Sequence, residues 1–227
     1  MATQYANGKI ITDGLVLALD AADRNSYVSG STVWNDLSGN NNSGSLVNGP
    51  TFNSGSGGNI VFDGIDDFVN CGYTMNFSSS FTLEIAFKTV FTGSNGIMCS
   101  KYDFTDPNFW FGVNNNKLKF SISVGTGGGK VEPVSISNVN DGNWYIGHAV
   151  YNSTTYTVSI YLNSTLQSSI TGNTAFIDTN RSYYIARFNP TALYFPGTIA
   201  YNKIYNRVLS ASEILQNYNA QKSRFGL

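Results

Sequence analysis

Ile60-Val-Phe-Asp63-Gly64-Ile-Asp66-Asp67-Phe68-Val-Asn70 is the stretch whose reading decides the fold. Ile60 and Phe62 alternate with Val61 and Asp63, and Phe68 and Val69 resume the pattern after Gly64. This is the period of two short strands. Asp63-Gly64 reads as a tight turn between them, because glycine adopts positive φ without steric cost and aspartate bonds its own backbone. Asp66 and Asp67 follow the turn at once. Two roles are open to them: capping the turn, or offering oxygens to a cation.

Working outward, the same alternation recurs. Phe81–Lys88 (F-T-L-E-I-A-F-K) places Phe81, Leu83, Ile85 and Phe87 on one face and Thr82, Glu84, Ala86 and Lys88 on the other. Ile10–Asp20 is apolar on both faces, as expected of a strand inside a sandwich. Gly96–Lys101, Asn143–Tyr151, Ser182–Arg187 and Gly197–Tyr205 read as further strands. Phe109–Val113 and Leu118–Val124 form a hairpin around N-N-N-K, and Tyr156–Leu162 and Thr165–Ile170 a second around Asn163-Ser164. Segments 38–44, 48–50 and 54–58 read as loop or turn, and Gly125–Gly129 as a glycine-rich turn without a phosphate-loop motif. Only Ser210–Ala220 has helical spacing, opened by the capping-box pair Ser210 and Glu213. About a dozen short strands with frequent turns and one short helix predict an all-β, two-sheet antiparallel jelly-roll sandwich. The expected organisation is an N-terminal arm over 1–10 and a single domain over 11–227.

Charged residues make up 12% of the 227, with a net charge of −1. Such a surface gives no field for nucleic acid or an anionic membrane. No run approaches the length of a membrane-spanning segment, and the first nine residues lack the pattern of an export signal. Cys71 and Cys99 lie at strand ends and read as buried free thiols rather than a bridge.

The order of motifs is similar to that of a known family. Gly14-Leu-Val-Leu-Ala-Leu-Asp20 is followed by Trp34-Asn-Asp36-Leu-Ser-Gly39, Asn48-Gly-Pro-Thr-Phe52 and the Val61–Phe68 block. Phe81-Thr-Leu-Glu84, Asn143-Trp144, Ile160-Tyr-Leu-Asn163 and Ile204-Tyr-Asn-Arg-Val-Leu-Ser210 complete the series. From about Ile11 to Tyr218 the chain resembles the laminin G-like branch of the concanavalin A-like lectin/glucanase superfamily. The resemblance implies two sheets packed face to face, with ligand sites on the concave sheet or the loop rim. Its D-L-S-G-N and F-D-G-I-D-D blocks look like domains of tailed-phage structural proteins. That implies a non-enzymatic virion module, a capsid decoration or tail or fibre protein. Its partners would be other virion proteins, its own copies and a host glycan. A cellular lectin-like module and a glycan hydrolase are the alternatives.

Hydrolysis of a glycoside needs two carboxylates about 5–10 Å apart. The chain has three glutamates, Glu84, Glu132 and Glu213, and none has an acid two or four residues along a strand. His148 is the single histidine and reads as a sheet-face residue. Sugar binding needs an aromatic platform beside polar groups, and Tyr102, Asp103, Asn108 and Trp110 supply that composition in one rim loop, with Phe104 and Phe109 beside them. The loop Phe188–Pro196 offers a second aromatic patch. The resemblance also makes calcium a cofactor to expect, with Asp66, Asp67, Asp103 and Asp106 as candidate ligands.

Overall fold

A computed structural model describes residues 4–5, 8–72, 75, 77, 79–101, 108–125, 129–179, 181–189 and 192–227. Phe81–Lys88 runs through the middle of an eight-stranded antiparallel sheet, paired on one side with Trp144–Asn152 and on the other with Pro196–Tyr205. Beyond Trp144–Asn152 come Thr157–Leu162 and Thr165–Thr171; beyond Pro196–Tyr205 come Asn59–Asp63 and Thr51–Asn53, and Leu15–Asp20 pairs with the far half of Pro196–Tyr205. The second sheet has nine strands. Lys117–Val124, Phe109–Asn114, Gly96–Lys101, Tyr184–Ile185, Phe68–Asn70, Gly44–Val47 and Val33–Trp34 are its successive neighbours, with Gly129–Val131 and Val134–Asn138 on the outer side of Lys117–Val124.

The predicted alternation fixes the core. Phe81, Leu83, Ile85 and Phe87 are at most 1% exposed and meet Phe109, Phe111 and Phe120 of the nine-stranded sheet. The Phe81 ring lies 5.4 Å from Phe109 and 6.3 Å from Phe120, centroid to centroid. Both predicted hairpins form. Their turns use positive φ at Asn115 and Asn116 and at Asn163 and Ser164, which matches the right-handed twist of the flanking strands. The helix Ala211–Gln221 is capped by Ser210 and Glu213 in a reciprocal capping box. Cys71 and Cys99 are free and buried, and burial pushes both thiols up, Cys99 to about 12.

The opening stretch folds differently from a hairpin. Asn59–Asp63 belongs to the eight-stranded sheet and Phe68–Asn70 to the nine-stranded one. The turn 64–67 is therefore an arch that carries the chain from one layer to the other. Gly64 has φ +78°, and a Cβ there would lie 2.6 Å from the Pro196 Cβ. Gly44–Val47 and Thr51–Asn53 are strands that the Gly/Asn-rich composition concealed, and the strand predicted from Ile10 begins at Leu15. The alternate face of Phe81–Lys88 is not solvated: Thr82, Glu84 and Ala86 are fully buried on the side of the sheet where the helix lies.

Candidate functional site

Trp110 points away from the core, in a cross-strand row that runs Asn70, Tyr184, Ser100, Trp110, Ser121. It is 6% exposed, packed with Ile97 and Phe188, and the Lys119 Nζ lies 5.5 Å from its ring centre. Asn108 is fully buried. Its amide donates to Asp178 (3.3 Å) and to the Thr179 carbonyl (3.2 Å), and its Oδ1 accepts the Thr179 N–H. Asp178 also receives Lys101 Nζ at 2.7 Å, so Asn108 closes a buried clasp around an ion pair. Burial draws the Lys101 ammonium below the usual lysine range, against the pull of Asp178. Tyr102, Asp103, Phe104 and Asp106 lie outside the described residues. In the second aromatic loop Phe188 and Phe195 turn inward, and Arg187 sits 4.1 Å over Phe68 and 4.8 Å over Tyr184.

All three glutamates are engaged with the protein itself. Glu84 is buried beneath the helix and accepts Lys203 Nζ (3.1 Å), Asn217 Nδ2 (2.6 Å) and Gln221 Nε2 (3.1 Å), with His148 Nε2 at 3.5 Å. Burial pushes its carboxyl up, but the Lys203 ammonium and the His148 contact outweigh it, leaving Glu84 well below the usual carboxylate range. Glu213 is bidentate to Arg207 and accepts the Ser210 N–H, which holds its pKa down at about 2. Glu132 accepts Lys119 (2.9 Å) and Ser121 (2.7 Å). Each of the three glutamates thus holds a structural contact.

The structure brings Asp66 and Asp67 together with Asp63, a residue the sequence reading had placed in the turn. Carboxylate oxygens of the three lie within 4.8 Å of one another. Asp63 Oδ1 accepts the Ile65 N–H (2.8 Å) and Asp67 Oδ2 accepts the Asp63 N–H (3.1 Å). Two of the three acids therefore serve the arch backbone. Asp67 is raised by burial and by the charges of Asp63 and Asp66.

Among the described residues, two of the open grooves are lined by neither the three arch carboxylates nor the Asn108 clasp. One, of about 330 Å³, lies beside Lys88, Trp144 and Phe225. The other, of about 480 Å³, runs between the loop 27–32 and the segment 46–52, which passes from Gly44–Val47 of the nine-stranded sheet to Thr51–Asn53 at the edge of the eight-stranded one. Neither was visible in the sequence, because each is walled by residues from separate segments of the chain.

A laminin G family model, described as the concanavalin A-like lectin/glucanases superfamily, matches residues 55–215. Among solved structures, the chain is similar to the binding domain of Paraclostridial Mosquitocidal Protein 1, with a TM-score of 0.73 and 17% identity over 92% of this chain and 52% of that one. The botulinum neurotoxin serotype D binding domain gives 0.72 and 12% over 93% and 53%. The binding domain of Botulinum Neurotoxin DC, solved in complex with SialylT, gives 0.72 and 14% over 92% and 52%. The chain thus spans about half the length of these structures and shares their fold. A search of curated proteins finds no match.

Proposed function

The chain belongs to the concanavalin A-like lectin/glucanases superfamily, and on that premise we propose that it is a non-catalytic binding module whose ligand is a glycan. The observation that carries the reading is the engagement of Glu84, Glu132 and Glu213 in structural contacts, in a fold shared with the toxin binding domains named above. The weakly charged, amide- and hydroxyl-rich surface is chemistry suited to sugar hydroxyls. The test is a glycan array probed with the purified chain, followed by incubation of any bound glycan with the protein. Retention of an intact glycan supports the reading; its cleavage supports the hydrolase alternative.

The carrier we propose is a virus particle, in which the domain decorates the capsid or tail and assembles with its own copies. This rests on the D-L-S-G-N and F-D-G-I-D-D blocks. Detection in purified virions supports it, and a freely soluble protein absent from them sinks it. The toxin binding domains among the similar structures favour the second reading, a lectin-like module of cellular origin. Asp63, Asp66 and Asp67 are hard oxygen donors of the kind calcium takes, and we propose them as its ligands.

A further inference from the structure

We infer that the groove between the loop 27–32 and the segment 46–52 is the glycan site, and that it takes an uncharged pyranose rather than a sialylated or sulfated one. The inference rests on the glycan-binding reading above. At about 480 Å³ the groove falls within the range of small-molecule sites. Among the described residues no charged side chain lines it. Its floor holds a stacked pair, Tyr27 and Phe52, with ring centres 5.6 Å apart and 29° between planes. Tyr27 is buried and Phe52 half-buried, so Phe52 offers the apolar ring surface against which the C–H face of a pyranose packs.

Around that ring stand exposed hydroxyls of Ser29, Thr32 and Thr51 and the side chain of Asn48. Among the described residues the three hydroxyls have no hydrogen-bond partner, and Asn48 uses only its amide N–H, on the Asp66 carbonyl (3.0 Å). Hydroxyls that both donate and accept, with a free amide oxygen, match the hydroxyls of a sugar ring. The walls are held before any ligand arrives. Tyr27 Oη donates to the Ser31 carbonyl (3.0 Å), Ser31 N–H to Val28 (2.9 Å), and Leu46 N–H to Thr32 (2.8 Å). Less ordering is then required on binding. Asn48 ties the groove to the arch that carries Asp63 and Asp66, both exposed. Among the described residues no Lys, Arg or His lines the groove to pair with a carboxylate or sulfate, which favours a neutral ligand.

The test is calorimetric titration of the full chain with lactose, maltose and cellobiose, and with sialyllactose as the anionic control, alongside an array of neutral glycans. A neutral sugar is expected to bind. Thr51→Arg, at an exposed position, and Phe52→Ala are each expected to weaken it at least ~10-fold. Thr51→Arg should leave the melting temperature unchanged, which separates loss of the site from loss of the fold. Undiminished binding by both variants would place the site elsewhere while leaving the glycan reading intact. Binding of sialyllactose alone would overturn the neutral class. No binding to any glycan would overturn the site and the glycan reading together.

Discussion

Glu84 holds its charge at a position with no solvent exposure, and its neighbours come from three elements: Lys203 and His148 from the flanking strands, Asn217 and Gln221 from the helix. Removing one partner of such a pair strands the other in a dry site, a loss of about 3–5 kcal/mol. Glu84→Ala should therefore destabilise the chain by about that amount in chemical denaturation. Glu84→Leu combined with Lys203→Met should recover most of it, since no charge is then left uncompensated. A double variant as unstable as the single one would show that shape rather than charge matters here. Sequence alone read Glu84 as one of four residues on the alternate face of a strand, and could not show that the helix would cover them. Glu213 titrates in a different window. Its folded pKa of about 2 lies below the ordinary 4.5. The stabilisation from Arg207 and the cap is thus complete above about pH 4.5 and lost as the pH falls toward 2. Melting temperatures followed across that window should fall less steeply in Glu213→Gln, which has no carboxylate to protonate.

The helix, the arch and the hairpins differ in how openly the chain announces them. The capping box was legible because both partners lie within four residues of each other, and Ser210 indeed accepts the Glu213 N–H while Glu213 accepts that of Ser210. Ser210→Ala should cost about 1 kcal/mol, read as a drop in thermal midpoint. The two hairpins were legible because each turn sits between strands that pair with each other. The arch has the same local signature, two alternating runs around Asp-Gly. Each of its strands pairs on one side with a strand more than a hundred residues away, Pro196–Tyr205 or Tyr184–Ile185. On the other side each pairs with a nearby one, Thr51–Asn53 or Gly44–Val47, in different sheets. Nothing within the eleven residues encodes that choice. Gly64→Ala tests the arch directly. It combines left-handed backbone with a Cβ driven against Pro196, and a loss of at least about 1–2 kcal/mol is expected. An unchanged midpoint would mean that Pro196 and the turn move apart freely.

Across the whole molecule, the two layers follow from period-two patterning repeated along most of the chain, which is why the sandwich was legible while its grooves were not. A groove depends on which segments the topology sets side by side, and the loop 27–32 meets the segment 46–52 where that segment passes from one sheet to the other. The acidic arch shows the same dependence. Asp66 and Asp67 stood out in the sequence, but the close approach of Asp63 needed the fold. Asp67 is raised chiefly by burial, and the neighbouring charges of Asp63 and Asp66 add to it. A group whose folded pKa is raised contributes stability at acid pH and loses it as the pH rises through that value. Near neutrality the buried, ionised Asp67 beside two like charges therefore costs stability, and two treatments should relieve that cost. Millimolar calcium should raise the thermal midpoint, since a ligand at about 100 times its Kd adds about 2.7 kcal/mol, or several degrees for a domain of this size. Asp66→Asn should raise the midpoint measured in chelator and also remove the response to calcium. If calcium leaves the wild-type midpoint where chelator does, while Asp66→Asn still raises it, the repulsion is real and the acids serve only the turn.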